Sequence, residues 1–403
     1  MPATLNTISA ILKEVYQPRV REQLQNEITL LKRIESSSDG VTSEVGGKYV
    51  TFPVHTRRNA GIGARNEGEA LPIPGQQGTA AARIGLAYLY AGIQLTGQTI
   101  ALSDSNAQAF TKALDMEVNG AKDDAKKDFN RQLYGNGVGA IGTVSSAGTS
   151  STTITVTDAT RFQVGMQVDI VTLPSTVSNS NLQITAINAP LTGTHTITVS
   201  SAVTTAVGQV ITRTGNVNRE ILGLGAVVSN TGTIYNIDPT VEPVWKSVVD
   251  SNAGTSRALS EGLMVQMADQ IRLNGGSVSL IIGGLGARKA YFDLLSQQRQ
   301  VVNTQEFEGG FKGLAFTTDA GEIPMVADVD APRGSLYFLN EKDLTLYQEH
   351  DWEWDDRSGS MWTRKSDASG TYDAWYAYLT KYANLGTDRR NTHGVIQDIQ
   401  TSY

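Results

Sequence analysis

Cysteine is absent from the 403-residue chain, and histidine occurs only four times. The first absence excludes disulfides, thiolate nucleophiles and thiolate–zinc sites. His55, His195, His350 and His393 fall in separate segments, with no pair at helical or zinc-finger spacing, so no metal cluster is expected from them. Runs of positive charge are missing too: Lys or Arg never occur more than two in a row, and the formal net charge is −7. A groove that grips nucleic-acid phosphates is therefore not expected, and contact with DNA should be weak and non-specific. Residues 1–30 lack the apolar core of a signal peptide. The uncharged run most like a membrane span, Ile84 to Leu102, is interrupted by Gln94, Thr96, Gln98 and glycines, and reads as strand. A cytoplasmic product with no membrane partner is the expectation.

What is present is enough apolar residue, 40%, to bury sizeable cores, and 40 glycines among abundant Ser and Thr. Strands and turns should outweigh helices. One long helix organises the rest, from Ser105 to Gly135. Phe110, Leu114, Val118, Ala121, Ala125, Phe129 and Leu133 recur at intervals of three or four and form one stripe. Ser103 and Asp104 stand where an N-cap belongs, and Gly135-Asn136-Gly137 supplies residues that tolerate positive φ at the other end. At about 1.5 Å per residue the rod is on the order of 45 Å long, more than one small core needs to cover.

Before this helix, Ile8 to Arg33 carries Val20, Leu24, Ile28 and Leu31 at helical spacing, with Pro18 near its start: an amphipathic arm. From Gly47 to Leu102 a strand-like run, a tip rich in Gly and Pro and a strand-like return spell a long two-stranded flap. An isolated hairpin is marginal in water, so its partners are expected on another surface, in the first instance a second copy. After the helix, Thr143 to Gly215 alternates Thr, Val and Ile in short runs, with two Arg balanced by two Asp. It reads as an inserted sandwich or barrel of about six strands. Val244 to Leu273 reads as two helical pieces divided by a turn at Asn252 to Gly254, the second using Leu259, Leu263, Met267 and Ile271. The buried strand SVSLIIGG then leads into the helix GARKAYFDLLSQQRQ, and from Phe311 onward the chain is strand-rich and aromatic.

Two local patterns invite a chemical reading. Gly284-Leu285-Gly286, after a strand and before a helix, is the position where amides seat phosphates, but Lys289 replaces the last glycine of a dinucleotide fingerprint and no repeated βαβ units surround it. A structural turn is the better reading. In EHDWEWDD, period-two geometry places Glu349, Asp351, Glu353 and Asp355 on one strand face. The face suits contact with another subunit; a calcium site or a solvated edge are the alternatives.

The order of parts resembles the major capsid proteins of tailed double-stranded-DNA bacteriophages, the Hong Kong ninety-seven fold. NEGEALPIP on the flap, LSDSN opening the long helix, LYGNG closing it, REILGL after it and IPMVADVDAPRGSLYFLNEKDLTLY before the last sheet carry the resemblance by their order and spacing. It implies an α+β capsid fold: N-terminal arm 1–46, extended loop or β flap 47–102, spine helix of the peripheral domain 103–138, inserted all-β domain 139–218, peripheral-domain helices 219–275, axial domain 276–345 and peripheral return strands 346–403. It also implies a non-catalytic shell subunit without cofactors, forming hexamers and pentamers around packaged DNA. Its partners would be copies of itself, a portal protein, a separate scaffolding protein and a decoration protein. The flap begins within residues 1–50, which argues against a fused scaffold. Lys48, the one lysine of the flap, sits at its base, so no cross-linking residues are carried over from the family. An encapsulin-type compartment, a nucleotide-dependent enzyme using the Gly284 loop and a secreted adhesin are the rival readings. Arg57 and Arg58, with Arg65 in reserve, are expected to meet Glu349, Asp351, Glu353 and Asp355 of a neighbouring subunit.

Overall fold

A computed structural model describes residues 27–36, 41–42, 49–98, 107–299, 315–318, 321–356, 359–367 and 370–401. Most of the expected arm lies outside them. Its described part is helix α1, Thr29–Ser36, which buries Leu30, Leu31 and Ile34 in the main core. After the short strand β1, Val41–Thr42, the flap forms as expected: β2, Tyr49–Arg57, pairs antiparallel with β3, Gly78–Gly85, in the register Tyr49↔Gly85 to Arg57↔Gly78. One face of this hairpin is not waiting for a second copy. Val50, Phe52 and Val54 pack on the main core, Ala82 and Ile84 are buried in it, and the Arg83 N–H donates to the Tyr235 carbonyl at 2.9 Å. The run Ile84 to Leu102 is not one strand either. It breaks at Leu86, and β4, Ala87–Thr96, leaves the flap to pair in the body.

The long helix α2 spans Ala107–Gln132, inside the expected bounds, while the N-cap candidates Ser103 and Asp104 fall outside the described residues. Its last turn tightens through Tyr134 N–H to Arg131 O (3.1 Å) and Gly135 N–H to Gln132 O (2.8 Å). The left-handed residue is Gly137, φ +86°, rather than Gly135. Among the described side chains of the apolar stripe, Ala125, Phe129 and Leu133 are buried, whereas Val118 and Ala121 are half-buried.

The segment after α2 is a closed barrel. Strands β5 (Ala140–Thr143), β6 (Gly148–Val156), β7 (Gln167–Thr172), β8 (Thr176–Asn188), β9 (His195–Thr205) and β10 (Val210–Arg213) follow the order β5-β10-β7-β8-β9-β6. A Val144↔Val156 bridge, with Ser145 N–H to Thr155 O (3.0 Å) and Thr157 N–H to Thr143 O (2.9 Å), joins the last strand back to the first. Ile141, Ile154, Val168, Ile170, Ile197 and Ile211 fill a core of its own. Entry and exit touch: Asn218 N–H reaches Val138 O at 3.0 Å, and Gly139, φ +87°, leaves no room for a Cβ, which would lie 2.9 Å from Asn216 O.

The remaining chain holds α3 (Leu224–Val227), β11 (Val248–Asp250), α4 (Glu261–Leu273), β12 (Leu280–Gly283), α5 (Leu285–Arg299), β13 (Ala315–Thr318), β14 (Gly321–Ala327), β15 (Leu336–Leu339), β16 (Leu344–Trp354), β17 (Thr363–Asp367), β18 (Gly370–Thr387) and β19 (Gly394–Ile396). The expected first helix of Val244 to Leu273 is instead loop and strand. Its β-branched Val248 and Val249 pair in parallel with Gly394 and Val395, so tertiary pairing overrides helical spacing. Residues 219–275 therefore contain a single-turn helix, a strand and one full helix. That helix, α4, is capped by Ser260 Oγ, which accepts from Leu263 N–H at 3.3 Å. It buries Met264, Met267 and Ile271 against the sheet β11-β19-β15-β12-β14-β13. A second sheet, β1-β16-β18-β17, takes β4 on the other side of β18, and β4 lies along α2.

Candidate assembly surfaces

Beyond β2 and β3 the flap tip holds its own shape. Arg65 donates from Nε to Ala70 O and from Nη1 to Ala64 O, both at 2.8 Å, and Asn66 bonds Glu69 through backbone N–H (3.0 Å) and Nδ2 (2.8 Å). These donors hold the Glu69 carboxyl below its ordinary range, the backbone N–H of Asn66 first among them. The tip so fixed presents Ile62, Leu71 and Ile73 with 87%, 84% and 87% of their surface exposed. Three large apolar side chains exposed within one hairpin tip mark it as a candidate contact surface.

The arginines named from sequence have different fates. Arg57 pairs with Glu242 of its own chain, Nη2 to Oε1 at 2.7 Å and Nε to Oε2 at 3.4 Å, while Arg58 is exposed and Arg65 is engaged by the tip carbonyls. The acidic strand shows the expected alternation over β16: Glu349, Asp351 and Glu353 are exposed, with His350, Trp352 and Trp354 between them less so. Register shifts at His350 interrupt it, and Asp355 lies past the strand, its N–H on Tyr378 O at 2.9 Å. Asp351 pairs with Lys381 Nζ at 2.7 Å, and Glu353 Oε1 lies 3.4 Å from His350 Nδ1. Burial pushes the Asp351 carboxyl up, but the Lys381 hydrogen bond and charge outweigh it and hold the group low. Inside one chain, then, Arg57 and Asp351 are each answered by a residue that sequence reasoning did not single out.

Lys381 left a trace in the sequence that could have been used. It is the one cation in the apolar, aromatic run YAYLTKYANL, and a buried ammonium needs a carboxylate. Its Nζ lies 5.1 Å from the Phe129 ring and 5.9 Å from that of Trp352, so aromatic faces supply the rest of its environment. Glu242, in DPTVEPVW, carries no comparable signal.

Between β4, the exposed flank of α2 and the foot of the barrel lies an open cleft of about 1700 Å³. Tyr88, Tyr90, Ala121, Asp124 and Trp352 line it. At its floor, Asp128 accepts from Arg131 Nε (3.0 Å), Arg213 Nε (3.0 Å) and Gln132 Nε2 (2.8 Å), and Arg131 Nη2 reaches Glu220 at 2.7 Å. Burial alone would raise the Asp128 carboxyl; the two guanidinium groups hold it well below the carboxylate range. This network joins the spine helix to the barrel. Gln132 Oε1, buried and without a partner, is left at the cleft floor.

The Gly284 loop is accounted for by packing. A Cβ at Gly283 would lie 2.8 Å from Ser335 O, and the Gly283 and Gly284 carbonyls accept from Asp328 N–H (3.0 Å) and Arg288 N–H (3.1 Å). Among the described residues no group of three or more His, Asp or Glu side chains is placed to hold a metal ion.

The family described as SU10 major capsid protein matches residues 4–400. The capsid asymmetric unit of cyanophage A-1(L) is similar in structure over 98% of this chain and 99% of that one, with a TM-score of 0.63 and 17% identity. A structure from Mycobacterium phage Bobi is similar over 98% and 99%, with a TM-score of 0.51 and 9% identity. No curated protein matches the sequence. At these identities the structural likeness is one of fold.

Proposed function

The chain belongs to the SU10 family of major capsid proteins, and from that premise we propose that copies of it assemble into hexamers and pentamers of an icosahedral shell around packaged double-stranded DNA. As a Hong Kong ninety-seven-fold capsid protein of the tailed-phage type it is a structural protein, and its chemistry is that of its surfaces. The observation that carries the reading is the flap tip: a self-bonded structure that exposes Ile62, Leu71 and Ile73 at the end of a hairpin whose base is buried in its own body. Water-exposed apolar side chains of that size each yield about 1.5–3 kcal/mol when fully covered. In a closed shell the same contact repeats at every equivalent interface.

The cleft beside α2 is a surface that such a tip can enter. Its walls carry Tyr88 and Tyr90, which suits an apolar tip. Because Arg57 and Asp351 are answered at home, the charged part of an intersubunit contact falls mainly to Arg58 with Glu349 or Glu353. Assembly would take place in the host bacterial cytoplasm. A portal protein, a separate scaffolding protein and a decoration protein would complete the particle, and DNA would be held loosely, as a net charge of −7 implies.

Electron microscopy of the purified product tests this. Icosahedral particles containing DNA are expected from the phage-encoded assembly, and soluble subunits without particles from Leu71→Asp with Ile73→Asp. Particles loaded with protein and lacking DNA, or a product that never forms shells, would overturn it.

A further inference from the structure

The loop between β14 and β15, Asp328 to Ser335, grips two parts of the chain at once. It is closed on itself by Asp330 N–H to Asp328 Oδ1 (2.9 Å), Ala331 N–H to Asp328 O (3.3 Å) and Ser335 N–H to Pro332 O (3.3 Å). On one side its buried carboxylates hold α1. Asp328 Oδ2 accepts from Leu30 N–H (3.0 Å), Asn130 Nδ2 (3.2 Å) and Tyr134 OH (3.0 Å), and Leu31 N–H donates to Asn130 Oδ1 (3.1 Å). These are amides that a helix start otherwise leaves unsatisfied. Asp330 Oδ2 accepts from Asn130 Nδ2 (2.7 Å) and Lys127 Nζ (2.8 Å), and the same ammonium donates to Glu27 O (2.9 Å).

On the other side the loop holds the barrel. Arg161 Nη2 donates to Asp330 O at 2.6 Å, and Arg333 Nη2 to Leu191 O at 2.7 Å. The Arg333 guanidinium also lies against His195 Nε2, and His195 Nδ1 accepts from Ala159 N–H at 3.0 Å. Asp328 thus holds α1, and Asp330 holds α2 with its side chain and the barrel with its carbonyl. Asp328, Asp330, Ala331 and Gly334 are buried and Val329, Pro332, Arg333 and Ser335 half-buried, so the two carboxylates are packed away from solvent.

We propose that this loop couples the anchoring of the N-terminal helix to the seating of the barrel, so that a load on one is felt at the other. Contact alone makes a path; coupling has to be reciprocal. The barrel and the N-terminal helix have separate apolar surroundings, so polar ties join them: this loop, and the Asp128–Arg213 pair on α2.

Hydrogen exchange on the full chain, read by mass spectrometry over residues 27–36 and 157–166, tests the proposal. Arg161→Met with Arg333→Met cuts the barrel side, and exchange over 27–36 should rise by about fivefold or more, the low end of measured couplings. Lys127→Met cuts the arm side, and exchange over 157–166 should rise by a similar factor. Strands β7 and β12 should keep their protection in both variants. Should the double variant fail to fold, Arg161→Lys with Arg333→Lys keeps the charges, breaks the fork geometry and carries the same expectation. Unchanged exchange at the distant side, transmission in one direction only, or a rise that includes β12 would each overturn the coupling.

Discussion

Acid should weaken this subunit through one buried histidine. His393 stands fully buried where β15, β18 and β19 meet. Its Nδ1 faces Asn340 N–H at 3.3 Å, which leaves Nε2–H to donate to Thr387 Oγ1 at 3.0 Å, so the neutral ring satisfies both neighbours. Burial first, and the Arg389 charge second, push its pKa from 6.5 down to about 3. The unfolded chain therefore binds the proton before the folded one does. This contribution to stability is complete above about pH 6.5, falls as pH drops, and is exhausted near pH 3. Each pH unit in that window removes about 1.4 kcal/mol, so pH 4.5 costs about 2.7 kcal/mol relative to neutrality. Against a total of roughly 5–15 kcal/mol that is a large fraction. The carboxylates held low, Asp128 and Asp351, act in the same direction but only near and below 3.8. Urea unfolding of unassembled subunits, followed by tryptophan fluorescence at pH 7 and 4.5, reads the loss. His393→Gln can offer an oxygen to Asn340 and an amide to Thr387 without titrating. The variant should start lower at pH 7 and lose about 2.7 kcal/mol less between the two conditions. Parallel losses in the two proteins would refute the assignment to His393.

Removing Asp351 should cost more than removing its partner. Asp351→Ala leaves a buried ammonium over Phe129 and should cost about 1–2 kcal/mol, less than a fully buried pair because the carboxylate is 65% exposed; Lys381→Met should be near neutral. The same urea titration checks both, and a Lys381→Met variant as damaged as Asp351→Ala would show that the ammonium itself is needed. The barrel should fold alone, since its strands close on themselves and bury Ile154, Val168, Ile170 and Ile197 together. A fragment running from Val138 to Asn218 should give dispersed amide resonances, and a random-coil spectrum would reject the claim.

Where patterns were long and local, the sequence was readable. The alternation of Thr, Val and Ile announced the barrel, and the runs after Phe311 became β13 to β19. Spacing could not say whether the barrel closes, because closure rests on the single Val144↔Val156 bridge. Short segments were misjudged where a distant partner decides. Val248 and Val249 are strand because Gly394 to Ile396 lies beside them, and the α2 stripe is only half-buried at Val118 and Ala121. The surfaces were harder still. Counting arginines on the flap and carboxylates on β16 measures charge, yet Glu242 and Lys381 sit 185 residues from Arg57 and 30 residues from Asp351, where no pattern connects them.

That difference changes which part of the flap should govern assembly. An exposed ion pair gives about 0–1 kcal/mol and is screened by salt, and Arg57 is already paired while Arg65 is held by its own tip. Ile62, Leu71 and Ile73 together offer about 5–9 kcal/mol if fully covered, before the ordering cost of docking is subtracted. The apolar share should therefore dominate. Arg58→Glu is expected to slow assembly modestly, with the deficit shrinking as salt rises from low to physiological strength. Leu71→Asp with Ile73→Asp should abolish particles at any salt while leaving the unfolding free energy of the subunit in urea within about 0.5 kcal/mol of the parent, because both positions are exposed in the single chain. Light scattering against salt concentration, with particle counts by microscopy, separates the two. Assembly that survives the double apolar variant but disappears with Arg58→Glu would reverse the ranking, and would return the contact to charge.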